Sequence, residues 1–193
     1  MFRDPPFFHL PPSVKILALI LVIVLTFLLV LAFGVALAIP LFGRNVLDEI
    51  TIVANYTDPH TIAALKYFQI VNQIGVFIVP AIIFVILSDD DFFSYLRLKG
   101  GIKRFSTFFG FIVILVSLPF INWLLEVNGD IHLPAFLSRV EEWMRESEDK
   151  AEQLTNAFLV TNNIQGFLVN LLMIAVLAAV GEELIFRGIL VRL

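Results

Sequence analysis

Three charged residues fall within six positions of an otherwise apolar stretch near the end of the chain. That stretch runs from Phe167 to Leu190 and is interrupted by Gly181-Glu182-Glu183-Leu184-Ile185-Phe186-Arg187-Gly188. A charged side chain at the middle of a membrane helix costs about 2.5–3.5 kcal/mol on insertion scales. Three together belong against a protein interior or a water-filled cavity. Glu183 and Arg187 stand four apart, on one helical face, and can pair. Glu182 is turned about 100° from Glu183 at 3.6 residues per turn and cannot share the arginine equally. One cation offsets one of two anions. The remaining carboxylate must take up a proton, meet a cation from another helix, or contact water. Desolvation raises the pKa of a carboxylate, the adjustment that a general base needs near neutral pH. The pattern therefore points to Glu182 as a water-activating base and to Glu183–Arg187 as the pair that fixes the helix. A structural use fits the same spacing: an ion pair plus a protonated glutamate holding helices together.

Other catalytic patterns are absent from the sequence. There is no cysteine, which removes thiol nucleophiles, thiolate metal ligands and disulfides. No H-E-x-x-H, G-x-S-x-G or G-x-G-D motif occurs; Gly129-Asp130 follows Val127-Asn128. The three histidines, His9, His60 and His132, all precede the glutamates, and none has Asn or Asp four residues on. Tyr56 stands four before His60, in a loop. Each histidine reads as an interfacial or loop residue.

The elements that must position the glutamates are set by composition. Hydrophobic residues make up 59% of the 193 and charged residues 16%, far from the balance of a soluble domain. A net charge of -4 argues against nucleic acid as a partner. Ile16 to Pro40 carries no charge, enough to cross a hydrocarbon core that needs about 20 residues. Ala36-Leu37-Ala38 imitates a signal-peptidase site, but the apolar run ahead of it exceeds a signal peptide's, so an uncleaved helix is expected. Asp58-Pro59 opens a second span as N-cap and first helical residue; Gln69, Asn72 and Gln73 join helices there, and Pro80 is placed to kink it. Spans are predicted at about 14–41, 62–87, 105–126 and 166–193.

Arg97, Lys99, Lys103 and Arg104 crowd the second-to-third loop, against Arg44 alone in the first. Positive-inside counting puts that loop and the N-terminus, with Arg3 and Lys15, in the cytoplasm; Arg192 agrees. Between the third and fourth spans an amphipathic helix is predicted over about 134–160. Pro134 starts it, and Ser138 with Glu141 has capping-box spacing. Leu137, Val140, Met144, Ala151, Leu154 and Phe158 form its apolar stripe, opposite Glu141, Glu142, Arg145, Glu146, Asp149, Lys150 and Glu152.

The run Glu182-Glu183-Leu184-Ile185-Phe186-Arg187-Gly188 resembles the first motif of the CAAX-protease and bacteriocin-processing family. The segment from Leu133-Pro134 through Glu141-Glu142-Trp143-Met144 to the Asn170 region is also similar to bacterial members. The resemblance covers residues 130–193; the first three helices match only in hydropathy. It implies that Glu182 activates water and that Glu183 pairs with Arg187. It further implies F-x-x-x-H and H-x-x-x-N/D motifs on later helices, and a divalent metal such as zinc whose ligands this chain does not supply. The histidines here do not fall into those motifs, so the chain reads as the N-terminal part of a longer protein, inactive alone.

The expectation is thus an all-α, polytopic transmembrane helix bundle, a single membrane domain over 1–193 with four spans and one amphipathic helix. The resemblance makes it an intramembrane endopeptidase of a bacterial plasma membrane acting on a peptide or protein substrate. A non-enzymatic scaffold or immunity protein, and a transporter relaying protons or cations through its carboxylates, are the alternatives.

Overall fold

The structure is a computed structural model that describes residues 5–7, 9–51, 58–88, 95–96, 104–161 and 163–193. The orientation-setting Arg3, Arg97, Lys99 and Lys103, and the loop residue Tyr56, lie outside the described residues. All regular structure among the described residues is helical. We name the helices α1 (Pro12–Phe42), α2 (Val46–Thr51), α3 (Pro59–Ser88), α4 (Arg104–Asp130), α5 (Ser138–Leu159) and α6 (Ile164–Arg192). Helices α1, α3, α4 and α6 are long and apolar enough to cross a membrane, which makes this a membrane protein with an all-α helical bundle. The short α2 has no counterpart in the sequence reading. By contacts the chain falls into two units, residues 1–98 with 153–193, and residues 99–152.

In the first unit α1 and α3 run antiparallel and α6 runs beside α3. Asp58 caps α3 as its sequence predicts: its carboxylate accepts from the Thr61 N–H and hydroxyl, both at 2.8 Å, and Pro59 takes the first turn. These bonds hold the Asp58 carboxyl below its ordinary pKa. At that end Ala38, Val46 and Ala64 are fully buried together. Further along, the Tyr67 hydroxyl donates to the Gly34 carbonyl at 2.8 Å. The Thr26 hydroxyl meets the Gly75 carbonyl at 3.2 Å as well as Val22 in its own helix. Such cross-helix bonds replace the water that hydrocarbon lacks.

Gly75 belongs to a wider π-helical turn, Ile74–Ile78, just before Pro80. Proline has no N–H to give the carbonyl four residues back, and the helix absorbs the defect by widening, as π turns do within α-helices. Of the three amides expected to join helices, only Gln73 is buried, and its Oε1 meets no partner among the described residues. Asn72 is exposed.

Glycine sets the α3–α6 distance. A Cβ on Gly181 would stand 2.7 Å from the Phe77 Cβ, an atom that moves only with its backbone. Beyond this contact Leu19, Ala81, Phe84, Val85, Ile185 and Ile189 form one buried cluster, so α6 presents Gly181, Ile185, Gly188 and Ile189 inward, at helical spacing.

Helix α6 begins at Asn163, whose side chain accepts from the Gly166 N–H at 2.7 Å. The Asn170 amide donates to the Phe158 carbonyl, tying the start of α6 to the end of α5. Ala157 and Phe158 are buried there.

In the second unit α4 is long and apolar enough to cross a membrane, and its side chains are not buried by the rest of that unit. The predicted capping box is not formed. A 3-10 turn, Ala135–Leu137, follows Pro134 and advances the helix start, so Glu141 reaches back beyond Ser138. Its carboxylate accepts from the Leu133 N–H at 2.8 Å and from Arg145, and meets His132 Nδ1 at 3.0 Å. Arg145 also reaches the Ile131 and Gly129 carbonyls, at 3.3 and 3.4 Å. The network closes the α4–α5 corner. Of the expected stripe on α5, Val140 and Met144 are exposed.

Two outcomes follow from these contacts. Gly181→Ala lowers the stability of the reconstituted protein by about 1–3 kcal/mol through overpacking; an unfolding titration in bicelles that leaves it unchanged would place Gly181 away from Phe77. At the corner, His132, the Leu133 N–H and Arg145, in that order, hold the Glu141 carboxyl down from 4.5 to about 2. A lowered folded-state pKa stabilises above the ordinary value and is lost as pH falls through the folded one. Protection of the Leu133 amide against hydrogen exchange should therefore decline between pH 4.5 and 2. Glu141→Ala should remove that step; if the step survives in this variant, another group caps the corner.

Candidate functional site

The glutamate motif lies within the fourth span. Gly181 packs on Phe77, two residues past Gly75, which Thr26 meets from α1. Glu182 is therefore level with about Ile23 to Leu25 of α1, roughly eight to ten residues and about 12–15 Å from Lys15 at 1.5 Å per residue. Lys15 is the last charge before the uncharged run of α1, and the hydrocarbon core is about 30 Å thick. Glu182 and Glu183 thus sit near mid-depth, and Arg187 about a turn nearer the Lys15 end.

The Arg187 guanidinium donates to the Glu183 carboxylate through Nη1 and Oε1. The pairing inferred from their spacing is present. Its setting differs from expectation: the two side chains are 54% and 71% exposed, and Glu182 is exposed as well. A protein interior is not what surrounds them among the described residues. The inward face of α6 is already occupied by Gly181, Ile185, Gly188 and Ile189, which turns the charges to the open side.

The backbone also departs from the 3.6-residue geometry used to assign roles. Residues Glu183–Ile189 form a π-helical segment, and Leu171–Leu177 another. Glu182 ends the short α-helical stretch between them. Four-residue spacing still brings Glu183 and Arg187 together, while Glu182 has no hydrogen-bond or ion-pair partner among the described residues. The division into one compensated and one uncompensated carboxylate survives the change of helix type.

The histidines serve elsewhere. The His60 ring packs edge-on against Phe42, with centroids 5.7 Å apart, at the end of the first unit opposite Lys15. His9 precedes α1 at the Lys15 end, and His132 meets Glu141 in the second unit. Zinc needs at least three side-chain ligands. Among the described residues no group of three His, Asp or Glu could hold a metal, and Arg187 already engages Glu183. What the motif offers is an unpaired carboxylate beside a neutralised one.

One arrangement had no signal in the sequence. The Arg192 guanidinium lies over the Tyr95 ring, 4.6 Å from its centroid, although the two residues are nearly a hundred positions apart. Neither forms part of any motif.

No family model matches this chain, and no curated protein or solved structure is detectably similar to it.

Proposed function

We propose that the protein is an intramembrane endopeptidase of the CAAX-processing type, in a bacterial plasma membrane with its N-terminus cytoplasmic. The observation that carries the reading is the unequal state of two adjacent carboxylates at mid-depth: Glu183 neutralised by Arg187, Glu182 without a partner among the described residues. An unpaired carboxylate in a low-dielectric setting is suited to general-base catalysis. Glu182 removes a proton from water as the water oxygen attacks a peptide carbonyl. That proton then passes to the departing amine, which leaves as the C–N bond breaks. Glu183 and Arg187 hold the helix turn that aims Glu182. The open side of α6 is where water and an extended peptide would reach the carboxylate.

A non-enzymatic reading is favoured by one observation, the outward exposure of the same pair. A neutralised ion pair on a lipid-facing surface can join a partner helix. In that role Glu182 contributes nothing that Gln would not.

The test uses the full-length protein in proteoliposomes with membrane-anchored peptides, prenylated and leader-type, and reads new termini by mass spectrometry. Glu182→Gln should lower cleavage by at least about 100-fold, within the usual range for a lost general base, while the variant remains monodisperse. Wild-type cleavage by Glu182→Gln would remove Glu182 as the base. Absence of cleavage by the wild type on every peptide, with Arg187→Ala misassembling, would favour the packing role.

A further inference from the structure

In the second unit one side of α5 has work to do and another has none. Glu141 and Arg145 hold the end of α4. Phe136, in the turn before α5, shares a different side with Val140 and Trp143, at helical spacing. The rest of the second unit buries none of these three apolar side chains. Arg139 stands one turn from both Phe136 and Trp143. Its stem can lie along apolar surroundings while its charge stays in water.

The corner network fixes the level of this apolar side. Phe105–Leu125 carries no charge and Glu126 ends the run, so the span α4 leaves the hydrocarbon near Glu126. Gly129 follows three residues on, about 5 Å at 1.5 Å per residue. Arg145 donates to the Gly129 and Ile131 carbonyls at 3.4 and 3.3 Å, and Glu141 accepts from the Leu133 N–H. The first turns of α5 are thereby tied to the headgroup layer, where tryptophan is favoured. Charge does not supply the attraction, because Glu142, Glu146 and Asp149 on the polar side are repelled by anionic headgroups. We infer that the start of α5 lies in the membrane surface, with Phe136, Val140 and Trp143 inserted among lipid headgroups by apolar contact. Helices of this kind bury their apolar side about 5–10 Å into the headgroup–acyl boundary. The inference is independent of the glutamate motif and does not require it to be catalytic.

The experiment reads Trp143 fluorescence in the full-length protein reconstituted into phosphatidylcholine vesicles. The difference between Trp123→Phe and the Trp123→Phe, Trp143→Phe double variant isolates the emission of Trp143. Lipid brominated near the carbonyl end of its acyl chains should lower that emission by roughly twofold or more. Lipid brominated at mid-chain should quench it less, and aqueous iodide should barely reach it. Val140→Glu, added to the Trp123→Phe protein, should raise iodide quenching several-fold with an unchanged circular dichroism spectrum. Glu142→Gln, on the polar side, should leave both quenchers' effects as they were. Quenching by iodide and not by bromine would put this side of α5 in water and overturn the assignment. So would quenching by neither, which would mean that protein covers Trp143, from the first unit or a second copy. Strongest quenching by mid-chain bromine would also overturn it, since the ring would then lie below the headgroup layer.

Discussion

Hydrocarbon offers no hydrogen bonds, and every polar group carried into it must find a partner inside the protein. The rest of the structure follows from that constraint. It makes the backbone helical throughout the spans. It draws the Tyr67 and Thr26 hydroxyls onto the carbonyls of Gly34 and Gly75, and it closes the α5–α6 corner with Asn170. At mid-depth it makes Arg187 answer to Glu183. Glu182 breaks the rule, as the buried Gln73 Oε1 does, but as a carboxylate: it lacks a partner among the described residues.

Small residues decide which way these charges face. Gly181 lets α6 approach Phe77 so closely that a methyl group would not fit. Ile185 and Ile189 follow on the same side and are buried with Phe84 and Val85. Once that face is committed inward, the glutamates and the arginine can only lie on the other. Packing energy, not electrostatics, thus orients the motif, and the ion pair adapts to it. On α6 π-helical segments lie on either side of Gly181, and on α3 one contains Phe77, consistent with a backbone that yields to keep the close approach.

Much of this was legible in the residues. Hydropathy located all four spans, and the first, expected over about 14–41, forms as Pro12–Phe42, because a charge-free run has one solution in lipid. Asp58-Pro59 announced its cap, and the Glu183–Arg187 pair followed from spacing alone. What escaped depended on tertiary contacts or on backbone defects. A periodicity of 3.6 cannot reveal a π turn. The 3-10 turn after Pro134 shifted the start of α5 and converted an expected capping box into a bond from Leu133 to Glu141. That the charges lie on the open side of α6 was not legible, because insertion cost says that a charge needs a protein interior or a water-filled cavity without saying which provides it. The Arg192–Tyr95 contact joins distant positions that no local pattern links.

The proposed chemistry stands on water reaching Glu182 near the middle of the bilayer. The chain has no cysteine, so single-cysteine labelling gives an unambiguous readout in the reconstituted full-length protein. Glu182→Cys should react with a membrane-impermeant thiosulfonate, since that reaction needs a hydrated thiolate, while Phe111→Cys in the apolar span α4 should not. If position 182 is as unreactive as position 111, the carboxylate faces dry lipid and a hydrolytic role for it is contradicted.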